Sequence, residues 1–166
     1  MNEPTSTAHS PTAHRRVFLV VVDETEEMRV ALRYAARRAK ATGGRVDLVH
    51  VMEPPEFQNW STINELMKED QRTEAERLLQ ALSSQVYDVS GSFPVLYLLE
   101  GTRREAVLKL LQETPDISIL VLGAGTGPEG PGPLISHLVG KFAGRLNVPI
   151  TIVPGSLTDE QIDALT

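Results

Sequence analysis

The chain has 166 residues, enough for one domain with a full core, and its hydrophobic share of 41% and charged share of 23% are ordinary for a soluble globular protein. A net charge of −6 argues against nucleic acid as the main partner, and no apolar run approaches the roughly 20 residues needed to span a membrane. The absence of cysteine excludes disulfides and thiolate metal sites, and together with an N-terminus lacking a secretory apolar stretch it leads us to expect a cytoplasmic protein.

Residues 1–15 are Ser, Thr, Pro and His with few apolar groups, and read as a disordered tail. Val17 to Val22 is a first buried strand that ends at Asp23. From about Glu26 to Thr42, the residues Met28, Ala31, Leu32, Ala35 and Ala39 recur at helical spacing. Acidic residues gather at the start of that helix, basic ones near its end, and Gly43-Gly44 stop it. Val46 to Met52 is a second strand, closed by Pro54-Pro55. The loop 54–61 holds Trp60, read as an anchor onto the core. A helix is predicted from about Thr62 to Val86, opened by a Thr62–Glu65 capping box, with Ala75, Leu78, Leu79, Leu82 and Val86 as its stripe. Pro94 to Leu99 is a third strand. A second capping box, Thr102 with Glu105, starts a helix that stops at Thr114-Pro115.

Ile117 to Leu122 is a fourth strand, charge-free and β-branched, followed within ten residues by Gly123, Gly125, Gly127, Gly130 and Gly132. A glycine loop running into a helix N-terminus exposes main-chain N–H groups to an anion, most often phosphate. The helix after it carries Ile135, Leu138, Val139, Phe142 and Leu146, and a last strand covers Val148 to Val153. The segment 156–166 reads as a tail with a short helical turn. Strands alternating with helices make this a single α/β domain, 16–155, with an open parallel sheet of five strands and helices on both faces. In such sheets the ligand sits beyond the carboxyl ends of the strands, where strand order reverses. If the first and fourth strands are neighbours, Asp23 and the glycine loop share one crevice.

The stretches VFLVVVDETEEMRVALRYAARRA, LVHVMEPP, LLEGTRREAVLKLL, DISILVLGAGTG and NVPITIVPG together resemble the universal stress protein family, over about residues 16 to 155. The resemblance implies a Rossmann-like sheet in the order 3-2-1-4-5 and a homodimer paired through the last strand, Val148 to Val153. It also implies a stress-adaptation role and, in some members, ATP binding, with Mg²⁺ as a possible companion. It assigns the nucleoside to Asp23, beside Val22, and to a backbone group at Val51.

The family's phosphate motif is Gly, two residues, Gly, nine residues, Gly, then Ser or Thr. Gly127, Gly130 and Gly140 match its glycines by count, with Lys141 in place of the hydroxyl residue. That register leaves too few residues for the final helix. The register starting at Gly123 needs no gap and puts Thr126, Ser136 and His137 at the remaining motif positions, so the motif is degraded. Gly125, Gly127 and Gly130 still offer main-chain donors. Three readings stay open at this level: a nucleotide-binding module, a protein-interaction scaffold without small ligand, and an adenine-nucleotide enzyme on a related fold. Against the last, DETEEM stands where such enzymes carry an SGGxDS-type loop. No catalytic or metal-binding constellation is visible. Among single residues, Asp23 is read as a ligand group, with helix capping as its alternative. His50 is read as a core histidine, and Arg103, Arg104 and Lys109 as a solvated helix face.

Overall fold

The computed structural model describes residues 14–54 and 61–166, without the side chains of Ser61 and Thr62. Most of the expected N-terminal tail, the Trp60 loop and the Thr62–Glu65 capping box therefore lie outside the described residues. Five parallel strands, β1 (Val17–Val21), β2 (Arg45–Met52), β3 (Val95–Glu100), β4 (Ile119–Ala124) and β5 (Ile150–Pro154), form one sheet in the order β3-β2-β1-β4-β5. The expected order is thus observed, and it makes β1 and β4 neighbours, Phe18 standing opposite Ile119.

Alternate side chains along the strands feed two cores, as the two-residue period of a strand requires. Phe18, Val20, Val22, Val46, Leu48, Val121 and Val153 meet α1 (Glu26–Thr42), α2 (Ser61–Ser90) and α5 (Asp159–Leu165). Val17, Leu19, Val21, Val49, Val51, Leu120 and Leu122 meet α3 (Arg103–Glu113) and α4 (Pro133–Gly140) on the other face. The helix α1 has the bounds its periodicity predicts. Thr25 caps it, accepting from the Met28 N–H, and Gly43 ends it in the left-handed region at φ 66°.

Four local expectations are corrected. Helix α2 continues past Val86 to Ser90 and is stopped by Gly91, at φ 77°. Thr102 caps α3 in position only, because its side chain makes no capping hydrogen bond. The long helix expected up to Leu146 is two turns of α4 followed by a single 3₁₀ turn at Ala143–Arg145. Gly140 and Gly144 weaken helix propagation there, and Val139 faces solvent. The C-terminal segment is more than one turn: Thr158 and Gln161 form a capping box, and Ile162 is fully buried in the core with α1. Asp163 adds an ion pair to each of two α1 residues, Arg33 and Arg37, at 2.9 and 3.3 Å.

A buried charged group stands inside this apolar frame. Asp47, with no exposed surface, takes a bidentate hold on Arg45, with Nε at 2.7 Å and a terminal nitrogen at 3.1 Å, and accepts the Val95 N–H of the neighbouring strand at 3.3 Å. The hydrogen bond to Asp47 raises the Arg45 pKa above its ordinary value, with burial opposing.

Candidate functional site

The strand order reverses between β1 and β4, and a cleft opens at the carboxyl ends of the strands around that point. It has two lobes. The larger, of about 710 Å³, lies between the ends of β1 and β2 and one flank of α2, and is lined by Asp23, His50, Val51, Ala75, Leu78 and Arg103 among others. That volume falls within the range of small-molecule sites. The smaller, of about 140 Å³, lies between the first turns of α1 and α4, against Asp23, Thr25, Glu27, Gly123, Arg103 and Gly132. Asp23 and Arg103 line both lobes.

Asp23 is half-buried, just past the last residue of β1, and one carboxylate oxygen accepts from the backbone N–H of Thr25 at 2.9 Å and from its hydroxyl. It thereby shapes the turn that presents Thr25 as the cap of α1, while lining the cleft. The capping and ligand readings of Asp23 are compatible in space. Val51 lines the larger lobe, whereas Val22 stands behind it. The side chain of Val22 is in the core, its N–H donates to the Val49 carbonyl, and its own carbonyl accepts from His50 Nδ1 at 2.9 Å. A carbonyl only accepts, so Nδ1 carries hydrogen and Nε2 is the other ring position. His50, expected as a core residue, therefore belongs to the cleft wall.

The glycines do not act as one cradle. Gly123 reaches the smaller lobe, but a Cβ there would lie 2.2 Å from the Glu27 carbonyl oxygen, so its lack of a side chain admits the first turn of α1. Gly125 donates its N–H to the Pro131 carbonyl, and Gly130 donates to the Gly127 carbonyl, which closes the loop on itself. Gly127 and Gly130 line neither lobe. Ser136 is exposed, and its hydroxyl donates back to the Gly132 carbonyl at 3.0 Å. His137 also sits off the cleft, in a depression shared with Arg104, Lys109 and Phe142, its ring 4.6 Å from that of Phe142. Desolvation, then the charges of Arg104 and Lys141, holds its pKa below the ordinary histidine value.

The sequence reading missed Arg103. Expected on a solvated face with Arg104 and Lys109, it occupies the first position of α3, three residues past the end of β3, and turns into the cleft. Its backbone N–H donates to a Glu53 carboxylate oxygen at 3.1 Å, and its Nε is buried with no acceptor among the described residues. A basic residue opening a helix beyond a strand's carboxyl end was the available signal. The helical period alone could not separate it from Arg104. Carboxylates dominate the surroundings: Asp23, Glu24, Glu27, Glu53 and Glu74 border the lobes. Arg77 is paired with Glu74 at 3.0 Å.

A model of the universal stress protein family matches residues 14–154. No curated protein matches the chain. Among solved structures, a universal stress protein UspA from Lactobacillus plantarum is similar at 14% identity and a TM-score of 0.72, covering 85% of this chain and 99% of that one. A universal stress protein family protein from Arabidopsis thaliana, solved with AMP bound, is similar at 13% identity and a TM-score of 0.59, covering 87% and 94% of the two chains. A universal stress protein from Archaeoglobus fulgidus in complex with dAMP gives 18% identity and a TM-score of 0.55, covering 83% and 96%.

Proposed function

The chain belongs to the universal stress protein family, and from that premise we propose that it is a stress-adaptation binding module whose cleft takes an adenine nucleotide. The observation that carries this reading is the position of Asp23 and Arg103 where the two lobes join, at the reversal of strand order. The larger lobe suits a nucleoside. Val51, Ala75 and Leu78 offer apolar surface to a base, and the carboxylate of Asp23 has lone pairs left for ribose hydroxyls. The smaller lobe would take phosphate. The relatives solved with AMP and dAMP support adenine as the base. ATP with Mg²⁺ falls within the same class of ligand.

Calorimetric titration with AMP tests the assignment. Asp23→Asn keeps the shape of the side chain and an acceptor for Thr25, and should weaken binding about tenfold through loss of the charged acceptor. Unchanged affinity would remove Asp23 from the site. No heat with any adenine nucleotide would favour the scaffold reading instead.

The reading extends to a homodimer. Among the described residues strand β5 is an edge of the sheet, with Ile152 41% exposed, and an unpaired edge is a template for a second copy. Light scattering at micromolar concentration should give twice the monomer mass. The monomer mass would overturn the pairing.

A further inference from the structure

We propose that Arg103, and not the glycine loop, is the phosphate anchor of this chain, and that the cleft consequently selects adenosine monophosphate over ADP and ATP. The proposal rests on the adenine-nucleotide reading above and assigns the ligand class within it.

Three observations lead there. First, the loop spends part of its main-chain donors on itself and aims few of the rest at the cleft. The N–H groups of Gly125 and Gly130 are used inside the loop, and Pro131 and Pro133, both at the rim of the smaller lobe, have none. Ser136 donates its N–H and its hydroxyl to the Gly132 carbonyl. Gly132, Leu134 and Ile135 keep N–H groups at the smaller lobe without a backbone acceptor among the described residues, a set suited to one phosphoryl group.

Second, the space and charge beyond the lobes' junction are unfavourable to a longer anion. The smaller lobe holds about 140 Å³ against about 710 Å³ for the larger. Glu27 lines it, with a carboxylate oxygen 3.3 Å from where a Cβ of Gly125 would stand, so the path along the loop passes a negative charge. Each added phosphoryl group would bring further negative charge towards Glu27 and Asp23.

Third, Arg103 is the cation placed to reach a phosphate at the junction. It lines both lobes, it makes no ion pair among the described residues, and its buried Nε has no acceptor there. A guanidinium presents its donors in a planar fork that matches phosphate oxygens, and a charge-assisted pair of that kind supplies the term the glycine loop lacks. The bond from its main-chain N–H to Glu53 fixes the root of the side chain.

The test is titration of the full chain with adenosine, AMP and ATP, the last with and without Mg²⁺, for the native sequence and for Arg103→Gln and Arg103→Lys, with circular dichroism to verify folding. In the native chain AMP should bind at least about tenfold more tightly than either adenosine or ATP. Arg103→Gln should lower AMP affinity much more than adenosine affinity and bring the AMP-to-adenosine ratio close to one. Arg103→Lys should retain part of the AMP preference. ATP binding as tightly as AMP, or an AMP-to-adenosine ratio that Arg103→Gln leaves intact, would overturn the proposal while the nucleotide reading stands. Absence of binding by all three ligands would overturn that reading and this one with it.

Discussion

Gly123→Ala should destabilise the protein by about 3 kcal/mol or more, an effect larger than that of any alanine substitution in the glycine loop that follows. The added Cβ would stand 2.2 Å from the carbonyl oxygen of Glu27, 2.4 Å from its carbonyl carbon and 2.9 Å from the Met28 nitrogen. All three are backbone atoms in the first turn of α1, so no side chain can swing aside. Relief requires the start of that helix to lift off β4, which would pull Met28, 3% exposed, away from its packing. Gly127→Ala is the control, because a Cβ there meets nothing within 4 Å. Urea denaturation of the two variants checks the expectation. A Gly123→Ala protein within about 0.5 kcal/mol of the native chain would show that the contact is absent in solution.

Asp47→Ala should cost about 3 kcal/mol, at the lower end of what breaking a buried ion pair costs, since the Arg45 side chain keeps 28% exposure and can be partly rehydrated. The substitution removes a bidentate partner from Arg45 and the acceptor of the Val95 N–H at the start of the β2–β3 pairing. It also leaves a gap where a fully enclosed side chain stood. A surface pair gives the comparison. Arg72 and Glu100 approach to 2.9 Å, but both side chains are about half exposed, and Arg72→Ala should change stability by less than about 1 kcal/mol. Thermal or urea unfolding separates the two cases. Equal effects from Asp47→Ala and Arg72→Ala would mean that the buried pair has no special weight.

How much of this was legible in the sequence depends on the scale of the feature. Strands and helices with long unbroken periodicity, such as VFLVVV and the stretch from Met28 to Ala39, were readable because apolar spacing answers directly to burial. The strand order was read from the family resemblance, and the sheet bears it out. The capping signal Thr158-x-x-Gln161 was present too, but its short helix is held by Ile162, a single buried residue that no period of 3.6 can announce. In the cleft, Asp23 was legible from its place at a strand end, and Val51 only through the family resemblance. Gly123 was read for a phosphate, whereas the structure fills its vacant side-chain space with α1. Arg103 and His50 needed three dimensions. Whether an arginine at the first turn of a helix faces water or a crevice is decided by the neighbouring strand ends, and those are remote in sequence.

Helix α1 is held at its first turn and along its middle. Its first turn sits against Gly123 and, through Glu27, Gly155, while its middle is gripped by Asp163 and Ile162 of α5. The wall of the cleft that α1 provides is thus rigid before any guest arrives, and little ordering entropy remains to be lost on that side. Adaptation to differently shaped guests would fall to the α2 flank, where Gln71, Glu74 and Arg77 line the larger lobe with exposed side chains.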